Sequence, residues 1–228
     1  EIAQSLFKKN KYQETIDTCN KILATDSNSI EAIKLIGKSF AATRKIDDAR
    51  LYLNKALNIN PDDYEIIKDL GNTYQTMGDI STAKKYYQKA LTINSSYAQA
   101  LTNLGSIELN TGNKQEALSL LIKATESAPE FAPAWGNLAN GYLQLGKIQE
   151  AENACLKAIK LNPNFFHSHF ILANILIGKK KLQEAEQSLC TTIELKPDFF
   201  QAHLNLGVVL KELGKLKEAE LSIRRVIE

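Results

Sequence analysis

Apolar positions along the 228-residue chain recur three to four residues apart in short blocks, and nowhere do they alternate in the period of two that a half-buried strand shows. In the segment from Ala132, the residues Trp135, Leu138, Ala139 and Tyr142 form one helical stripe. "LGK" (Leu145–Lys147) interrupts it, where Gly146 supplies a left-handed turn residue at little cost. A second stripe follows, with Ile148, Ala151, Cys155, Ala158 and Ile159, and Pro163 closes it because proline cannot donate to a further turn. The pattern predicts a pair of short amphipathic helices joined by a tight turn.

The same pair recurs. "NPNFFHSHF" (162–170) returns as "KPDFFQAHL" (196–204), with matching residues 34 apart. "IDDARLYLNKALNINP", "IQEAENACLKAIKLNP" and "LQEAEQSLCTTIELKP" align in the same register without a gap. Full frames run 30–63, 64–97, 98–131, 132–165 and 166–199, with incomplete ones at 1–29 and 200–228. No insertion breaks the register, so residues 1–228 read as one array of five full and two partial hairpins.

Small residues indicate how the hairpins stack. One column of the first helix reads Ala3, Gly37, Gly71, Gly105, Ala139, Ala173 and Gly207, and one of the second reads Thr15, Ala49, Ala83, Ala117, Ala151, Ala185 and Ala219. Side chains of this size let two helix backbones approach where they cross. A single hairpin is too small to bury its apolar stripe, and stacking makes the core continuous. The residues two after each proline position, Asp63, Tyr97, Phe131, Phe165 and Phe199, stand just before a first helix, where an aromatic ring is expected to act as glue between repeats.

These residues resemble the tetratricopeptide repeat (TPR) family over the whole chain. In the frame from Ala132, the residues Trp135, Leu138, Ala139, Tyr142, Gly146, Ala151, Ala158 and Pro163 fall on its signature. Glu108 departs from the expected Tyr, Arg44 from the Gly and Ser95 from the Pro. The resemblance implies an all-α fold, a right-handed superhelical α-solenoid whose first helices line a concave groove.

Lys and Arg total 28 against 26 Asp and Glu, so no strong field attracts nucleic acid or an anionic membrane. No apolar run reaches the ~18 residues of a membrane span, and no signal peptide is visible. Cys19, Cys155 and Cys190 lack the spacing of a disulfide framework or a zinc site; they are expected to be free, buried thiols, which favours a reducing compartment such as the cytoplasm. His169 and His203 share the column of Trp135, but no further ligands accompany them, so packing rather than a metal is expected, and no cofactor is implied. Asp47, Asp48, Asp62 and Asp63 lie at helix starts, where an anion suits the helix dipole. With no Gly-rich phosphate loop or catalytic constellation, the chain is not expected to be an enzyme. It begins at Glu1 without Met and ends near the close of a second helix, so a longer natural polypeptide, or self-association through uncapped ends, is expected.

The family pattern places Lys68, Asn72, Asn103, Asn137, Asn140, Asn174 and Asn205 along the groove. An asparagine amide offers both a donor and an acceptor and so pairs with the backbone of an extended peptide. Asn103, Asn137 and Asn205 share one column, which resembles the asparagine ladder of the O-linked N-acetylglucosamine transferase repeats; Ile171 and Asp69 interrupt it. Toward the C-terminal end the expected lining turns apolar, with Phe170, Ile171, Leu204 and Val208. TPR domains that grip chaperone C-terminal carboxylates need two basic residues where this chain has Pro133 and Asn137, which argues against such tails. The expected function is a scaffold that binds a protein or peptide segment; the alternative is the substrate-recognition or regulatory arm of a larger enzyme, such as a glycosyl- or sulfotransferase.

Overall fold

The computed structural model describes residues 1–226, so the last two residues of the frame 200–228 lie outside the described residues. Among the described residues there are fourteen helices and no strand: α1 (Ile2–Lys8), α2 (Tyr12–Thr25), α3 (Ile30–Ala42), α4 (Ile46–Ile59), α5 (Tyr64–Thr76), α6 (Ile80–Ile93), α7 (Ala98–Asn110), α8 (Lys114–Ser127), α9 (Ala132–Gln144), α10 (Ile148–Leu161), α11 (Phe166–Gly178), α12 (Leu182–Leu195), α13 (Phe200–Glu212) and α14 (Leu216–Arg224). Every frame from residue 30 onward starts on the first residue of a first helix. The chain divides into two compact units, Glu1–Ile107 and Glu108–Glu228, with the division inside α7. Each unit is a stretch of all-α solenoid built from stacked hairpins.

The hairpin turns repeat with the sequence. Asn10, Arg44, Gly78, Gly112, Gly146, Lys180 and Gly214 all have φ between 58° and 90°, one every 34 residues. The left-handed conformation therefore persists where the sequence supplies Asn, Arg or Lys, because the two helices it joins dictate it. At the loops between hairpins the caps vary. Asp63 accepts hydrogen bonds from the backbone N–H groups of Glu65 and Ile66 at 3.0 and 3.1 Å. Phe131, Phe165 and Phe199 stand at the equivalent N-cap places and offer no cap bond.

The Phe165 and Phe199 rings reach back to the preceding repeat instead. Phe165 lies over Gly136 of α9, so closely that a Cβ there would come 2.7 Å from the ring. In the next repeat Phe170 takes the place of that glycine, and the Phe199 ring meets it edge-on at 4.9 Å between centroids.

Inside each hairpin, residue sizes compensate across the helix crossing. Gly37 faces Leu53, Gly71 faces the Tyr87 ring and Gly207 faces Ile223; a Cβ at these glycines would approach within 2.9, 2.6 and 2.5 Å. At Ala3 and Ala139 the residue 16 further on is the smaller Cys19 or Cys155, in the same core cluster, whereas Ala173 has Leu189 there. Both thiols are buried, whereas Cys190 is exposed, contrary to the expectation for all three. The Cys155 thiol donates to the Ser168 carbonyl at 2.8 Å, and burial pushes its pKa up to about 12. Fully buried side chains such as Leu53, Leu121 and Leu189 each contribute ~1.5–3 kcal/mol by leaving water.

Candidate partner-binding face

On the first helices, position and neighbours decide what each polar side chain can do. In the first unit, Asn103 of α7 donates to Asn72 Oδ1 of α5 at 2.8 Å. The Tyr87 hydroxyl, from α6, sits 2.7 Å from Asn72 Oδ1 and 2.7 Å from Gln75 Oε1. Burial raises the Tyr87 pKa, a contact from Asn103 opposes this, and the nearby Asp69 charge adds to it. The phenol is therefore a fixed neutral donor beneath the asparagine pair. In the second unit the pair recurs at the same step of 31 residues: Asn205 of α13 donates to Asn174 Oδ1 of α11 at 2.8 Å.

Each pair uses one N–H and one carbonyl. Among the described residues, the carbonyl oxygens of Asn103 and Asn205 and the amide nitrogens of Asn72 and Asn174 have no further direct partner, and all four residues are partly exposed. A rung of this kind thus keeps one acceptor and one donor for something else.

The other expected residues fall differently. Asn137 turns along its own helix and donates to the Pro133 carbonyl at 3.0 Å, and Asn140, half-buried, has Ile171 rather than an asparagine 31 residues on. Ile171 is only 8% exposed and packs into a core cluster with Leu138 and Ile175, so it offers no lining surface. The seam between neighbouring first helices takes this column inward; an asparagine bridges the seam, an isoleucine sinks into it. Phe170 is held edge-on by Phe199. Leu204 and Val208 are 39% and 52% exposed, one turn apart on α13, and with Phe200 form an apolar strip. The Lys68 ammonium is paired with the neighbouring Asp69 carboxylate and is not a free cation.

Three further features stand out, and two residues in them, Lys34 and Lys38, fall at first-helix positions that the family pattern also assigns to the groove. Lys34, nearly buried on α3, bonds Asp63 at 3.1 Å and Glu65 at 3.3 Å, with Glu31 at 3.6 Å. Burial would lower its pKa, but the contacts with these carboxylates, Asp63 foremost, outweigh it and raise the value. The link ties the start of α5 to α3. Next to it, Phe7, Lys34 and Lys38 line a hollow of about 400 Å³. In the second unit, Trp135 Nε1 donates to the Pro129 carbonyl, and the Nε2 atoms of His169 and His203 lie 2.8 and 2.9 Å from the carbonyls of Pro163 and Pro197. This ring column ties each first helix to the loop six residues before it. The only sequence signal for it was the shared 34-residue column. Among the described residues no group of three His, Cys, Asp or Glu is placed to hold a metal ion, and no helix is long and apolar enough to cross a membrane.

Comparison with known proteins gives a consistent picture. Family models described as tetratricopeptide repeat match residues 64–97 and 132–165, residues 154–187, and residues 98–131 and 200–228. No curated protein sequence matches. Among solved structures, pilF of Pseudomonas aeruginosa is similar at 23% identity and a TM-score of 0.73, over 86% of this chain and 89% of that one. In the Cut9–Hcn1 hetero-tetramer of the APC/C, a chain 21% identical superposes with a TM-score of 0.85; it covers 92% of this chain, which spans 42% of that longer one. YrrB, a TPR protein with an unusual peptide-binding site, is 23% identical with a TM-score of 0.55, over 77% of this chain and 90% of that one.

Proposed function

The chain belongs to the tetratricopeptide repeat family, and from that premise we propose that the first-helix face of each unit holds an extended segment of another protein. One observation carries this reading: the asparagine rungs Asn72–Asn103 and Asn174–Asn205 recur at the same step in both units and leave the same two groups over. One leftover acceptor and one leftover donor match the N–H and C=O of a peptide backbone. Such a rung reads the main chain, so side-chain choice rests with its surroundings: charged and aromatic around Lys38 and Phe7, apolar around Leu204 and Val208. The peptide-binding site named for YrrB is a precedent on the same fold. Near-balanced charge favours a partner held by hydrogen bonds and apolar contact over one drawn by long-range attraction.

The test begins with a pull-down on the purified chain, with bound peptides identified by mass spectrometry and their affinities measured by calorimetry. Asn103→Ala and Asn205→Ala each remove the donor of one rung and its leftover acceptor. At ~0.5–1.5 kcal/mol per hydrogen bond, the double variant should bind roughly tenfold more weakly, with an unchanged helical circular dichroism spectrum. Wild-type affinity in that folded variant would overturn the reading.

A further inference from the structure

Stepping 31 residues back from Asn103 leads to Asn72, and from Asn205 to Asn174; the same step from Asp69 leads to Lys38. These two do not pair. Lys38 Nζ lies over the Phe7 ring, 5.6 Å from its centroid. Asp69 gives Oδ1 to Lys68, while its Oδ2 receives no hydrogen bond from any described residue, although Asp69 is only 8% exposed. A buried carboxylate oxygen without a donor is costly, and proteins seldom leave one so. Both residues line a hollow of about 190 Å³ with Phe7, Ala41, Leu53 and Asn72, and Phe7 and Lys38 also line the larger hollow beside Lys34.

The charges select the guest. Lys68 already neutralises Asp69, so a cation gains little net attraction there. An anion attracted to Lys38 would meet the donor-less Asp69 oxygen. A neutral amide satisfies both sides: its C=O accepts from Lys38, and its N–H donates to the Asp69 carboxylate, whose buried Oδ2 must turn about χ2 to face the hollow, each bond strengthened by the ionised protein group.

We propose that this hollow is a subsite for an uncharged amide of the partner segment, whose adjoining carbons lie against Phe7 and Ala41. It rests on the reading of the first-helix face as a partner site and gives the chemistry of one position on it. The amide belongs either to the partner's backbone or to an Asn or Gln side chain.

Nuclear magnetic resonance titration of the full ¹⁵N-labelled chain tests this with N-acetyl-alanine-N′-methylamide, N-acetyl-asparagine-N′-methylamide, acetate and ethylguanidinium as probes. The amide probes should shift the signals of Phe7, Lys38 and Asp69 saturably, and at least fivefold more weakly in Asp69→Asn and in Lys38→Met. Equal response to both amides assigns the backbone source; response to the asparagine probe alone assigns the side chain. Lys38 is partly exposed, so its variant remains informative if Asp69→Asn fails to fold. Saturation by acetate or ethylguanidinium with no response to the amides would overturn the proposal, as would no saturation by any probe. Shifts confined to Asn174 and Asn205 would overturn it too, while leaving the asparagine rungs as a partner site.

Discussion

Arg44 and Lys180 occupy a backbone conformation that their side chains disfavour, at φ 59° and 58°, in a column where four other turns carry glycine. The left-handed region costs an L-residue ~1–2 kcal/mol relative to glycine, partly offset by the greater freedom glycine has when unfolded. Lys180→Gly should therefore stabilise the chain by about 1 kcal/mol, read as a higher urea midpoint with an unchanged slope. No gain would mean that the lysine side chain makes contacts worth as much as the strain. The column was legible in the sequence as a glycine position, and Asn10 suits it because asparagine tolerates the left-handed region; that Lys180 adopts the same geometry was not legible, because nothing in its chemistry announces it.

At the scale of the helix pair, size matching across the crossing sets the stability. Gly71→Ala would place a Cβ 2.6 Å from Tyr87 Cε1, and the ring is fully buried with its hydroxyl anchored to Asn72 and Gln75. Overpacking of this kind costs ~1–3 kcal/mol. The variant should lose that much in urea denaturation, whereas Gly146→Ala, with open space around it, should lose only the cost of its positive φ. No loss in Gly71→Ala would show that the Tyr87 ring gives way and that size matching at this crossing does not set the stability. The glycine and alanine columns were visible as a period. Their partners were not, since the compensating residue lies 16 positions away and varies from Cys to Tyr. The Asn–Asn pairing across 31 residues was likewise hidden: the sequence placed Asn103 and Asn205 in one column and Asn72 and Asn174 in another, but periodicity does not say which columns meet.

Across the whole molecule, buried acids that hold their protons make the fold sensitive to alkali. Burial raises the pKa of Cys155 to about 12 from 9.0, and raises Cys19, Tyr87 and Tyr97 as well. Each is protonated in the folded chain at a pH where the unfolded chain has released the proton. Their contribution is thus complete below pH 9 and is lost as pH rises from there toward the folded values. One such proton is worth ~1.4 kcal/mol per pH unit. Stability measured by urea titration should fall steadily between pH 9 and 11, and Cys155→Ala should flatten the fall by up to one proton. A pH-independent midpoint over that range would show that these groups reach solvent.

The 34-residue period, the helix pairs, their turns and their small-residue crossings follow from the sequence alone, because each depends on residues close together or in a fixed register. Tertiary structure decided the rest. It sank Ile171 and left Cys190 exposed, turned Asn137 onto its own helix, paired Asn72 with Asn103, and left the Asp69 oxygen without a donor. Those outcomes depend on which side chains meet across the seam between repeats. That meeting is fixed by the stacking of helices distant in sequence, and no local pattern of polar and apolar residues encodes it.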